Sequence, residues 1–217
     1  MRSGSVTVNP IQVGILIFDD VELLDFAGPL EVFSLVATTK ASGQDYLLEP
    51  FHVTTISEHG GQVATRNGLK VIADYSLEAA LDYDILIVPG GYGTRKLAQN
   101  VKVLEWIRQQ TTKASWVASV CTGAFVLAEA GLLDGKRATT GQASLERMRM
   151  TYQDKDIHIE DRVKYVEDGK IITSGGISTG IPMALYLVEK MLGIDAALTV
   201  ARDMEYDLTL FEDRNLA

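Results

Sequence analysis

Ile11–Phe18 is apolar at nearly every position, and no other segment constrains the fold as tightly. A strand with one wet face alternates polar and apolar residues; one that is apolar throughout must be covered on both faces, as in parallel sheets between helices. Asp19 and Asp20 end this run. Further strands are predicted at Phe51–Ile56, at the buried run Asp84–Val88 and at Ala114–Val120. Between them, Gly28-Pro29 opens a helix with Leu30, Phe33, Val36 and Ala37 on one face, Pro29 suiting its first turn. Ser76 caps a short helix through Leu81, and Val101–Gln110 is an amphipathic helix. The Gly-rich and β-branched segment Gly60–Ala73 reads as a peripheral hairpin.

Beyond Gly131, a short strand is predicted at Arg137–Thr139 and a helix at Leu145–Tyr152. Val163–Ser174 carries the hairpin turn Glu167-Asp-Gly-Lys170. Ser178 or Thr179 caps a long helix, Ile181–Leu192, stopped by Gly193. A last helix, Ala196–Asp203, precedes a loosely packed acidic tail. Strands alternating with helices give an α/β fold: a mostly parallel sheet sandwiched between helices. Ligands of such sheets bind beyond the C-terminal strand ends. Asp25, Gly91, Cys121 and Gly176 each follow a predicted strand and converge on that edge.

With 217 residues, residues 1–217 are expected to form a single domain. The formal net charge of −9 argues against nucleic acid or an anionic membrane as partner. No stretch approaches the ~20 apolar residues of a membrane span, and Met1–Pro10 is too polar for a signal peptide. The single cysteine excludes an intrachain disulfide and suits a reducing cytoplasm.

That cysteine, Cys121, sits where Ala114–Val120 breaks into the Ala/Leu-rich helix ending at Gly131. Gly123 permits a tight turn, so the sulfur stands exposed at the strand's C-terminal edge, as in the nucleophile elbow of hydrolases. The positive end of a helix and nearby free N–H groups should favour the thiolate. The plain alternative is a small apolar filler.

The chain resembles the ThiJ/PfpI superfamily from about Ile11 to Gly193. The resemblance rests on Leu23-Leu-Asp25-Phe-Ala-Gly28-Pro29, Val88-Pro-Gly-Gly-Tyr-Gly93, Ser119-Val-Cys121-Thr-Gly123, Gly131-Leu-Leu-Asp-Gly-Lys-Arg-Ala-Thr-Thr140 and Gly175-Gly-Ile-Ser-Thr-Gly180. It is most similar to the isonitrile hydratase branch and to the ligand domains of AraC-type regulators. The resemblance implies a flavodoxin-like, class I glutamine amidotransferase-like fold, Cys121 as nucleophile, Asp25 as its paired acid, and a homodimer. A buried carboxyl beside a thiolate should have a raised pKa and donate a proton. The alternative makes Asp25 a local helix cap. The N–H groups of Gly91 and Thr122, with Gly90 beside them, are implied as an anion-stabilising hole. The Thr122 hydroxyl lies near the sulfur. The glycine-rich turn at Gly176 lacks the lysine and spacing of a phosphate loop and should border the pocket.

Many relatives carry histidine, often then tryptophan, after the Thr-Thr pair; here Gly141 and Gln142 follow. That exchange should enlarge the pocket and remove a base. His52 and His158 fall on predicted strands and His59 in a turn, so a Cys/His dyad is not expected, and no metal cluster is apparent. His158-Ile-Glu160 follows the elbow too soon to act as the base pair of glutamine amidotransferases. The reading is a cofactor-free hydratase that converts isonitriles to N-substituted formamides. Its competitors are a glyoxalase- or deglycase-like enzyme, which Gly141 counts against, and a ligand or redox sensor. A full regulator is not expected, since the sequence ends soon after its last predicted helix and its charge is acidic.

Overall fold

The computed structural model describes residues 9–36, 38–39 and 47–207. The initial apolar run forms β1 (Ile11–Leu16), buried from Val13 onward. Then come α1 (Leu23–Ser34) and the short antiparallel pair β2 (Thr38–Thr39) and β3 (Leu47–Leu48). β4 (Phe51–Ser57) leads to the expected hairpin, β5 (Gly61–Ala64) with β6 (Lys70–Ala73), and to β7 (Tyr75–Ser76). β8 (Ile85–Val88), α2 (Thr94–Leu97), α3 (Val101–Lys113), β9 (Trp116–Val120) and α4 (Gly123–Glu129) complete the first half. The second half is β10 (Lys136–Ala138), a 3-10 turn at Gln142–Ser144, α5 (Leu145–Thr151), β11 (Ile157–Ile159), β12 (Tyr165–Asp168), β13 (Ile171–Ser174), α6 (Gly180–Leu192) and α7 (Ile194–Asp203). Ala37, expected on the inward face of the first helix, lies outside the described residues, as do Met1–Val8 and most of the acidic tail.

The main sheet has seven strands in the order β12-β13-β9-β8-β1-β4-β7. Every neighbouring pair is parallel except β12–β13, the hairpin at one edge. The fold is therefore α/β with a mostly parallel sheet flanked by helices, as expected from the apolar runs. α1, α6 and α7 pack together as one group, and α2, α3 and α4 as another. All four residues of β8 and of β13 are buried, which is why those strands show no alternation. Packing at the centre is tight: a Cβ on Gly14 would stand 2.7 Å from the ring of the buried Tyr83.

Two expected boundaries are corrected. The first helix does not open at Gly28-Pro29; it starts at Leu23 and holds Pro29 inside. The cause is tertiary. Val21 bridges to Gly91 and the Glu22 N–H donates to the Gly90 carbonyl, so the chain is anchored by residue 22 and turns helical there. Nor does Ser76 open a helix through Leu81. Tyr75–Ser76 pairs with Ile56–Ser57 as an edge strand, and the Ser76 hydroxyl accepts the Ala79 N–H at 3.3 Å in a turn that is not continued. The later helix begins at Gly180 with Thr179 as its N-cap residue, though no side-chain hydrogen bond caps it.

Candidate functional site

Four neighbouring strands deliver the site. β1 leads to Asp25 in the first turn of α1, β8 to Gly90 and Gly91, β9 to Cys121, and β13 to Gly176. Cys121 is the elbow: its φ is +53°, in the left-handed region that non-glycine residues seldom occupy. Such a conformation costs on the order of 1–3 kcal/mol and persists only where neighbours enforce it. Here the Cys121 N–H donates to the carbonyls of Ser174 and Gly175, at 3.1 and 2.8 Å. The Thr140 hydroxyl donates to the Cys121 carbonyl at 2.7 Å. α4 is pressed against β8 so closely that a Cβ on Gly123 would stand 2.0 Å from the Val88 carbonyl oxygen. The expected tight turn is thus a steric requirement.

Asp25 is completely buried. Its Oδ2 accepts the Gly90 N–H at 3.0 Å, so it orients on the β8 turn and does not cap its own helix. Its Oδ1 is buried without a hydrogen-bond partner among the described residues. The point where a Gly90 Cβ would stand lies 2.7 Å from Asp25 Oδ2 and 2.8 Å from Cys121 Cβ. Only a glycine between them allows acid and thiol to be neighbours. Burial raises the Asp25 pKa to about 7, opposed in part by the Gly90 N–H and helped by the nearby Glu22 charge. The expected rise is present, and it leaves the carboxyl protonated below neutrality.

The expected thiolate is not favoured. Burial first, and the Asp25 charge second, push the Cys121 thiol up to about 11. The Thr122 N–H and hydroxyl hydrogen-bond the sulfur and pull the other way, but they are outweighed. Sequence inspection counted the donors at the elbow and had no measure of the desolvation around them.

Gly91 has a φ of +125°, and its N–H donates to Thr122 Oγ1 at 3.0 Å. The Thr122 hydroxyl also meets Thr94 Oγ1 at 3.2 Å. The two N–H groups expected to form the anion hole are therefore engaged within the protein, one with a hydroxyl and one with the sulfur. Gly90 serves the acid instead.

Gly141 and Gly176 flank the sulfur: a Cβ on either would stand 2.7 or 2.5 Å from Sγ. Gly141, Gln142 and Gly176 all line a cavity of about 720 Å³ with Cys121 at its floor, as expected of pocket residues. Sequence reasoning missed the rest of its wall: Glu22, Arg66, Tyr92, Arg95 and Arg147 among others. Arg66 pairs with Glu22 at 2.8 Å, reaching in from the β5–β6 hairpin. No periodicity or motif marks these arginines, which the fold collects from three distant segments. His52 lies on β4, His158 on β11 and His59 in a turn, and none lines the cavity. Among the described residues no cluster of His, Cys, Asp and Glu is suited to a metal ion. No helix among them is long and apolar enough to cross a membrane.

A model of the DJ-1/PfpI family matches residues 11–190. The chain belongs to the DJ-1/PfpI family. Among DJ-1/PfpI relatives, an isonitrile hydratase from Pseudomonas putida is 35% identical over 90% of this chain and 78% of its own length. The HTH-type transcriptional regulator CdhR from Pseudomonas aeruginosa is 32% identical over 67% of the chain, which spans only 42% of that protein. A crystal structure of a ThiJ/PfpI family protein from Pseudomonas syringae superposes with a TM-score of 0.78 at 22% identity, over 95% of this chain and 82% of that one. DJ-1beta from Drosophila melanogaster gives 0.77 at 22%, over 91% and 99%. At that identity the structures speak for the fold alone.

Proposed function

We propose that this protein hydrates isonitriles to N-substituted formamides, with Cys121 as nucleophile and Asp25 as proton donor. One observation carries the reading: a fully buried carboxyl with a pKa near 7 lies behind the only cysteine, and that cysteine lines a cavity that no histidine lines. The similarity to the Pseudomonas putida isonitrile hydratase supports it. In this scheme the proton held by Asp25 goes to the terminal isonitrile carbon as the substrate settles on the sulfur and the carboxyl turns toward it, giving a nitrilium-like electrophile. Sulfur adds to that carbon as its own proton passes to the carboxylate just formed. An electrophile of this kind accepts a neutral thiol, so the high pKa of Cys121 is no obstacle. The resulting thioimidate takes up water across its C=N bond, hydroxyl to carbon and proton to nitrogen. Collapse then breaks the C–S bond, the hydroxyl proton returns to sulfur, and the formamide leaves. Thr122 and Gly91 would stabilise charge on the tetrahedral intermediate by re-aiming their N–H groups. The scheme uses no cofactor, and a reducing cytoplasm would keep its thiol available.

Cys121→Ala should abolish formation of formamide from a simple aryl isonitrile, followed by chromatography; retained turnover would overturn the proposal. Methylglyoxal assayed beside it tests the glyoxalase-like competitor, which the glycine at position 141 leaves without a base. A second reading, a ligand sensor, draws support from the similarity to CdhR and from the protonated thiol; stoichiometric binding of an isonitrile without turnover would favour it. We further propose a homodimer, on the family resemblance, which sedimentation equilibrium would report as twice the 23.7 kDa chain mass.

A further inference from the structure

The cavity above Cys121 is cationic, although the chain carries a formal net charge of −9. Arg66, Arg95 and Arg147 line it against one carboxylate, Glu22, and that carboxylate is already paired with Arg66. Arg95 comes from α2 and Arg147 from α5, and both also border an adjoining hollow of about 360 Å³. The carboxylate in that hollow, Glu129, accepts a hydrogen bond from the Tyr152 hydroxyl at 2.9 Å. Neither Arg95 nor Arg147 has an ion-pair partner among the described residues. What each has is an aromatic seat: the Arg147 guanidinium lies 4.1 Å from the centre of the Phe125 ring, and that of Arg95 lies 5.4 Å from Tyr92. The Tyr92 ring is shared with Arg66, whose guanidinium lies 4.2 Å from its centre; a guanidinium set against a ring keeps its charge and its N–H donors for an anion. The two cations feel each other: partial burial first, then the charge of Arg95, lowers the pKa of Arg147. Holding two like charges over one cavity is costly unless an anion joins them.

We infer that the natural substrate carries a carboxylate, bound between Arg95 and Arg147 while its reactive carbon meets Cys121. This rests on the proposed role of Cys121 as nucleophile and narrows the substrate to an anionic isonitrile. An arginine fork matches a carboxylate with two parallel hydrogen bonds, which sets orientation as well as affinity. Gln142, Ser144 and Ser178 on the same wall offer neutral hydrogen-bonding groups for the rest of the molecule.

The test compares alkylation of Cys121 by iodoacetate and by iodoacetamide, which differ in one charge. In both, the S–C bond forms as iodide leaves, so the ratio of the two rates cancels the reactivity of the thiol itself. In the intact protein that ratio should exceed its value for 2-mercaptoethanol by about tenfold or more, the size of a charged hydrogen bond. It should fall toward the small-thiol value in Arg95→Gln, an exposed position where folding is not at risk, in Arg147→Gln, and at high salt. A ratio equal to that of 2-mercaptoethanol, or one indifferent to both substitutions, overturns the inference. A second comparison, isocyanoacetate against its methyl ester, separates the two proposals. Preferential hydration of the acid supports both. Preferential hydration of the ester overturns the carboxylate site while hydratase activity stands. An arginine-dependent alkylation ratio without hydration of either compound leaves the anion site standing and ends the hydratase reading.

Discussion

Asp25 and Cys121 show how far one residue's chemistry depends on what encloses it. The raised pKa of Asp25 means that the folded chain keeps a proton the unfolded chain has lost. Its contribution to stability is therefore fullest below the ordinary carboxyl value of 3.8 and declines as pH rises to about 7. The span corresponds to roughly 4 kcal/mol. Asp25→Asn removes this slope: between pH 4 and pH 8 the unfolding free energy of the variant should gain on that of the wild type by up to about that amount. Urea denaturation at the two pH values checks it. Catalysis carries the same sign. On the proposed scheme, formamide production should fall as pH rises through about 7, because the acid form is lost, and Asp25→Asn should be slow and flat across that range. The thiol behaves differently: its alkylation by iodoacetamide should keep accelerating beyond pH 9, and a plateau below pH 8 would contradict the environment described. The direction of the acid's shift was legible in the sequence because burial dominates it; the negative neighbour is Glu22, not the thiolate expected there. That of the cysteine was not, because donors and burial oppose each other and only packing reveals the balance.

Among elements, those with an apolar core lining were read correctly and those defined by a remote tie were not. β1, β8 and β9 announce themselves by composition, and the β12–β13 hairpin by its Asp-Gly turn. The start of α1 carries no such sign: Glu22 makes no side-chain cap, and the bridge that places the helix reaches to Gly91. The four-strand convergence was nonetheless visible, since each site residue follows a predicted strand. Two substitutions test how elements are fitted together. Gly141→Ala meets no backbone conflict, with φ at −53°, yet its methyl would press on Sγ. It should slow Cys121 alkylation about tenfold or more while changing the melting temperature by only a few degrees, as a small overpacking would. Gly14→Ala puts its methyl into the Tyr83 ring, between β1 and the segment preceding β8. It should cost about 1–3 kcal/mol in chemical denaturation and leave the pH dependence of the thiol unchanged.

For the molecule as a whole, the overall charge pointed away from nucleic acid and concealed a local field of opposite sign. Arg66, Arg95 and Arg147 are scattered through the sequence and become a group only when α2, α5 and the β5–β6 hairpin surround one cavity. The adjacency of β1, β8, β9 and β13 has a kinetic consequence. These strands are separated in the chain by whole helices, and each ladder closes a long loop before it is rewarded. The proton donor, the sulfur and the turn that aligns them consequently have no meaning in any partly assembled intermediate. During refolding, helical signal should return early, and catalytic competence should appear only with the last-forming ladder, a lag that stopped-flow circular dichroism paired with timed activity assays can resolve.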